Sequence, residues 1–317
     1  MSYETALLKS IVAGRGSGRV SKHALMLYSL MANTTQSLRT LNYRHGIAVG
    51  RSLYRLYAQT RRYTLYEESV SDLVSFFELA GFGRITYRAL PNRIGIGMHD
   101  TLHLDLGMST HSFEAGMIAG FLTASKGQLL HVTESTCSSN SAGSCEFHTS
   151  NSTQDTGNVA IKGAFDAFVE DVSRQVLRAE EQQDSIANEY YALSSLVLLD
   201  SKYFHEIRVI ADYLGSRLAT ELSIESMTPT RMFNTVKRSM ALLDMGVAKI
   251  KTSGKFDITL QFGRLHSRKE FADLSIAFLH GLLRNAAKGA GMKAKGLIHN
   301  NTYSVRFSKS KPIKRVH

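Results

Sequence analysis

The order of patterns along the chain predicts an α+β fold, built as two tandem copies of a domain that lays helices against an antiparallel sheet. Three observations predict it. The first half passes from helix-period segments to alternating segments, then to a glycine-rich helical segment, then to a short hairpin. Its alternating segments carry one apolar face each, as in Ile94/Ile96/Met98 and Leu102/Leu104/Leu106, which suits strands with one buried side. The same order of segments then returns in the second half.

Taken in order, residues 1–20 hold Gly14-Arg-Gly-Ser-Gly-Arg19. No strand precedes this run and no Gly-Lys-Ser/Thr closes it, so a flexible basic arm is expected rather than a phosphate loop. The first domain then runs over 21–150. Its pattern is helical from 22 to 57, with breaks expected near Asn33 and over 42–46. Tyr54, Tyr57, Tyr63 and Tyr66 interleave with Arg51, Arg55, Arg61 and Arg62. Such a face is usually solvated arginine beside buried tyrosine, and the alternative is contact with bases or phosphates. A helix over 67–80 ends at Gly81-Phe-Gly83, and strands follow over 84–88, 93–98 and 102–106.

Phe113, Met117 and Phe121 recur every four residues and form one helical face. Gly116, Ala119, Gly120 and Thr123 form a small-residue face that allows a close approach, expected here to be against the sheet. Gly127 stops this helix. In the strand that follows, Leu130, Val132 and Glu134 share a side, and in the next strand Cys145 and Phe147 share a side. Glu134 and Cys145 therefore continue apolar faces, where a lone carboxylate is costly unless paired or metal-bound.

A metal answers that cost. Glu134, Cys137 and Cys145 stand on a strand end, a turn and the returning strand, so they can converge. His111, at the helix start, is the first choice for a fourth ligand, ahead of His131, His103 and His148. Zn²⁺ takes sulfur, imidazole and carboxylate in closed tetrahedral structural sites. The competing readings are two ordinary buried cysteines or a disulfide across the hairpin.

This stretch resembles the signature of the 4-vinyl-reductase domain family, over about residues 20 to 150. Members include the ligand-sensing domains of phenol-responsive bacterial regulators and many archaeal proteins, and the fold is similar to that of the TRAPP core subunits. The resemblance implies a structural zinc held by a cysteine, a glutamate and two further cysteines. Glu134, Cys137 and Cys145 match the last three, and the first falls on His111.

In the second half, a polar stretch leads to a linker and amphipathic helix over 151–185, with Ile161, Phe165, Phe168, Val172 and Val176 on one stripe. The second domain spans 186–308. Tyr43-Arg-His45 aligns with Tyr203-Phe-His205 (203 − 43 = 160), and Gly81-Phe-Gly-Arg-Ile85 with Gly246-Val-Ala-Lys-Ile250 (246 − 81 = 165). This copy is degenerate, because no cysteine remains where the metal hairpin would be. The tail, 309–317, is basic.

Thirty-eight Lys and Arg against twenty-seven Asp and Glu give a net charge of +11. That permits nucleic acid, an anionic membrane or an acidic protein as partner without choosing among them. Two cysteines make no disulfide framework, the first residues lack the apolar core of a signal peptide, and no apolar run spans a bilayer, so a cytoplasmic setting is expected.

Three functions compete. One is a small-molecule-binding or regulatory module, with an apolar pocket for a small hydrophobic or aromatic ligand lined by Tyr54, Phe113, Met117 and Phe121. A second is a TRAPP-like scaffold that meets a protein partner or a second copy of itself. The third, a subunit of a tetrapyrrole vinyl reductase, is disfavoured, since the chain shows no dinucleotide fingerprint and a four-ligand zinc leaves no open position.

Overall fold

The computed structural model describes residues 2–15, 18–63, 65–90, 93–99, 111–137, 144–150, 161–178, 185–200, 202–245, 247–252, 258–263, 269–289, 292–299 and 302–309. The chain is α+β and divides into two units. One is Met1–Phe168 with Gln182–Asp200, and the other is Val169–Glu181 with Ser201–His317. The strand expected over 102–106 and the tail beyond 309 lie outside the described residues.

The first unit opens with α1 (Tyr3–Val12), capped by Ser2, whose Oγ accepts from the Thr5 amide at 3.2 Å. Leu8 and Ile11 are buried, and α1 packs on helices later in this unit. The N-terminal segment is therefore a docked helix and not the flexible arm expected from its glycines and charge. Two apolar residues three apart were enough to dock it, and the neighbouring glycine run masked them. β1 (Arg19–Ser21) leads into α2 (Lys22–Ala32), which ends at Asn33 as expected.

α3 (Gln36–Ala58) follows, with Thr35 as its cap. The break expected over 42–46 does not occur. Asn42 is held by the Tyr28 hydroxyl, which donates to its Oδ1 at 2.9 Å, and Gly46 faces another helix across a close contact. α4 (Tyr66–Ala80) ends at Gly81, whose φ of 103° is the left-handed cap conformation that glycine adopts without strain. β2 (Arg84–Leu90) and β3 (Arg93–His99) form a hairpin, and α5 (Ser112–Lys126) crosses to β4 (His131–Cys137) and β5 (Ser144–Ser150). The sheet order is β2-β3-β5-β4, with every pair antiparallel.

The small-residue face of α5 packs on α3, not on the sheet. A Cβ on Gly116 or Gly120 would strike the backbone carbonyls of Tyr43 and Ile47, and one on Gly46 or Gly50 would strike those of Phe113 and Met117. Four glycines thus interlock two helices at backbone distance, leaving the larger side chains of α5 for the sheet and the flanking helices.

The first unit is completed by the start of α6 (Ile161–Arg178), by β6 (Ser185–Ala187) and by α7 (Asn188–Ser194). β6 pairs antiparallel with β1, and the buried Val20 stands opposite the buried Ile186. Tyr190, fully buried, meets Phe76, Phe77, Phe82 and Phe113. Residues 186–200 therefore belong to the first core, whereas the sequence assigned them to the second domain. The assignment failed because helix periodicity shows that a face is buried without showing which core buries it.

The second unit comprises the rest of α6, then α8 (Phe204–Glu221), α9 (Pro229–Leu242), β7 (Val247–Thr252), β8 (Ile258–Gly263), α10 (Lys269–Gly289), β9 (Met292–His299) and β10 (Thr302–Lys309). Its sheet order is β7-β8-β10-β9, again antiparallel throughout. α8 and α10 also meet at backbone distance. A Cβ on Gly215 would strike the Phe278 carbonyl, and one on Gly281 that of Asp212. Among the described residues, no helix is long and apolar enough to cross a membrane.

Candidate metal centre

Three elements of the first unit bring donor atoms together. His111 is the N-cap residue of α5, and its carbonyl accepts from the Ala115 amide at 2.9 Å, which holds its backbone at the helix entrance. Glu134 lies on β4 opposite Phe147, and Cys145 lies on β5 opposite Met98. All three face inward: His111 is 7% exposed, Cys145 0%, and the Glu134 side chain 2%. His111 Nδ1 is 2.9 Å from Glu134 Oε1 and 4.0 Å from Cys145 Sγ, and the three donor atoms lie within 4.8 Å of one another.

An irregularity in the sheet places the hairpin half of this cluster. The register shifts between Glu134 and Thr136, so Glu134 pairs with Phe147, Thr136 with Glu146 and Cys137 with Cys145. In a regular strand, positions three apart face opposite ways. The extra residue, Ser135, absorbs one step as a β-bulge and brings positions 134 and 137 to the same side. Sequence reading missed this bulge. Its only signal was the spacing itself, two candidate ligands three apart on one strand. The side chain of Cys137 lies outside the described residues, as does His103.

The alternative histidines are engaged elsewhere. His131 Nδ1 is 3.0 Å from the Tyr43 hydroxyl, and burial pushes this imidazole below its ordinary pKa. His148 pairs with Thr133 and Gly95, so it sits on the sheet face opposite Cys145, with Nε2 3.8 Å from Glu146.

A second buried carboxyl lies one helical turn beyond His111. Glu114 accepts from the Tyr190 hydroxyl at 2.8 Å. Burial raises its pKa, and the neighbouring His111 works against that rise. A separate chain of hydrogen bonds, through Tyr28, Asn42, Ser112 and Asn33, runs from α2 through α3 to the start of α5. The helix entrance is thus pinned by polar groups on one side and by the hairpin on the other.

Of the residues expected to line a pocket, Tyr54, Phe113 and Phe121 pack against rings. Phe113, Met117 and Phe121 are all buried. Tyr54 meets Phe121 edge-on at 5.5 Å and stacks on Tyr63 at 5.7 Å, and Phe113 lies 5.4 Å from the His45 ring. The room expected beside the small-residue face is taken by α3, because a side chain on Gly116 or Gly120 would meet its backbone.

A tetrahedral zinc with bonds of about 2.0–2.3 Å holds its donors about 3.3–3.8 Å apart. The nitrogen, oxygen and sulfur here stand within about 1 Å of that spacing, so the residues fit such an ion. Comparison with protein-family models, with curated proteins and with solved structures finds no match for this chain.

Proposed function

We propose that this chain is a regulatory or binding module of the 4-vinyl-reductase type, built twice, with a structural zinc in the first copy. The convergence of His111, Glu134 and Cys145 at a helix entrance carries the reading. Cys137 supplies the fourth ligand, which its register opposite Cys145 favours. The ion replaces the proton shared by His111 and Glu134, satisfies a buried carboxylate and ties α5 to the β4–β5 hairpin. Four protein ligands leave no position for substrate, so its role is to hold the fold.

Duplication is supported by the two sheets, β2-β3-β5-β4 and β7-β8-β10-β9, which run in the same order. It is supported again by the glycine contacts. Gly46 meets Phe113 and Gly215 meets Phe278, while Gly116 meets Tyr43 and Gly281 meets Asp212. These pairs set the offset at 215 − 46 = 169 for α3 and α8, and at 281 − 116 = 165 for α5 and α10. On this reading Tyr43 aligns with Asp212 rather than with Tyr203.

Native mass spectrometry of protein purified without added metal tests the reading. One zinc per chain, lost in Cys145→Ser, is the expected result, and a metal-free folded protein overturns it. A second reading, the TRAPP-like scaffold, is favoured by the α3–α5 contact, which fills the space a ligand would use. A thermal-shift screen with aromatic and lipid-like compounds separates the two, because a bound ligand raises the melting temperature by mass action.

A further inference from the structure

α3 presents a face of a single charge to solvent. Thr40, Arg44, Ala48, Arg51, Arg55 and Ala58 are all exposed, and at 100° per residue they fall on one narrow stripe. The helix contains no Asp or Glu. Arg62, also exposed, follows four residues past the helix end. Among the described residues, none of Arg44, Arg51, Arg55 and Arg62 forms an ion pair. Arg61 differs, being held by the buried Asp72.

This row is not a requirement of the fold. α8, which makes the corresponding glycine contact in the second unit, carries Glu206, Asp212 and Glu221 beside its arginines. Four like charges on one side repel each other, which is an unfavourable arrangement unless an anion neutralises them. All four are arginines, whose planar forked donors match phosphate oxygens in pairs.

We propose that the arginine face of α3 binds the phosphate backbone of double-stranded nucleic acid without reading its sequence. The stripe is straight and rigid: about 10 Å separates Arg44 from Arg51, and about 6 Å separates Arg51 from Arg55, at 1.5 Å of rise per residue. A single strand is a poorer fit, because binding it relies on aromatic rings that stack on bases. The tyrosines that adjoin the row in sequence, Tyr43 and Tyr54, already pack on His131 and Tyr63. A bilayer is a poorer fit too, since on the helix stripe only Ala48 and Ala58 separate or follow the arginines and neither would insert into lipid.

The test is fluorescence anisotropy with the full chain, a labelled 20-base-pair duplex and salt from 50 to 200 mM. Neutralising four duplex phosphates gives a slope of about 0.9 × 4 = 3.6 in log affinity against log salt, or about 150-fold over that fourfold range. The quadruple variant Arg44→Gln, Arg51→Gln, Arg55→Gln, Arg62→Gln should flatten the slope by that amount. The double variants Arg44→Gln/Arg51→Gln and Arg55→Gln/Arg62→Gln should each give half of it, and they serve if the quadruple variant does not fold. The control removes four exposed charges elsewhere, at Arg178, Arg208, Arg231 and Lys237, and should leave most of the slope. The basic tail is present in every variant, so the difference isolates α3. Equal losses in stripe and control, no binding to the duplex, a stronger preference for single strands, or binding only to phosphatidylserine vesicles would each overturn the proposal.

Discussion

Replacing Gly116 by alanine probes one of the close backbone approaches between α3 and α5. A Cβ there would lie 2.1 Å from the Tyr43 carbonyl oxygen, where ordinary contact begins at 3.4 Å, a shortfall of 3.4 − 2.1 = 1.3 Å. The obstacle is backbone inside a helix and cannot rotate away, so α3 and α5 must separate. Overpacking of this kind costs about 1–3 kcal/mol, and a rigid obstacle argues for the upper end. Against that stands the better helix propensity of alanine, about 1 kcal/mol. The net is a loss of about 2 kcal/mol, or about 4–8 °C in melting temperature for a unit of this size. Thermal denaturation followed by circular dichroism measures it. Gly46→Ala should behave alike, and the double variant should cost less than the sum, since one separation relieves both collisions. Gly163→Ala, where a Cβ meets nothing within 4 Å, should cost nothing. If Gly116→Ala stabilises the protein, the α3–α5 contact is not as close as described.

Three other outcomes are expected. Cys145→Ser, or dialysis against a strong chelator, should remove the proposed zinc and destabilise the first unit by several kcal/mol, as metal analysis and melting would report, because metal binding is folding energy in such sites. Retention of the metal at full affinity in His111→Ala would instead exclude His111 as a ligand. Burial raises the Glu114 pKa above its ordinary 4.5, so the folded state holds this proton more tightly than the unfolded state. Its contribution is therefore greatest at low pH and falls as pH rises above that ordinary value. Glu114→Gln should remove this part of the pH dependence, and an unchanged stability–pH curve would refute the assignment. Tyr190→Ala removes a fully buried ring and should cost about 3–5 kcal/mol. A melting temperature within 2 °C of the parent, on the scale of about 2–4 °C per kcal/mol, would count against the placement of α7 in the first core.

Periodicity made several features legible in advance. The Ile94/Ile96/Met98 alternation predicted β3, the four-residue recurrence of Phe113, Met117 and Phe121 predicted α5, and a carboxylate and a cysteine continuing apolar faces predicted that Glu134 and Cys145 would need a common partner. Features set by distant contacts were not legible. Gly46 reads as a helix breaker because its cost is local, while its benefit lies in a helix about seventy residues away. Of the arginines read as solvated, Arg51, Arg55 and Arg62 are exposed, while Arg61 pairs with the buried Asp72, a contact its sequence neighbours do not announce. The Ser135 bulge has no propensity signal, since it answers a pairing partner.

The β1–β6 ribbon sets a timetable for biosynthesis. A chain emerging from the ribosome presents residues 1–150 first, with the sheet, the glycine-locked helices and the candidate metal ligands already in sequence. Its core still lacks Ile186, Tyr190 and Leu193, all of them buried in the finished unit. At about 5–20 residues per second, the next fifty residues take about 3–10 s to arrive. Throughout that interval the partners of Tyr190, Phe76, Phe77, Phe82 and Phe113, wait without their central ring. The nascent first unit is therefore exposed to chaperones and proteases for seconds, and it closes only once the chain has begun to deliver the second.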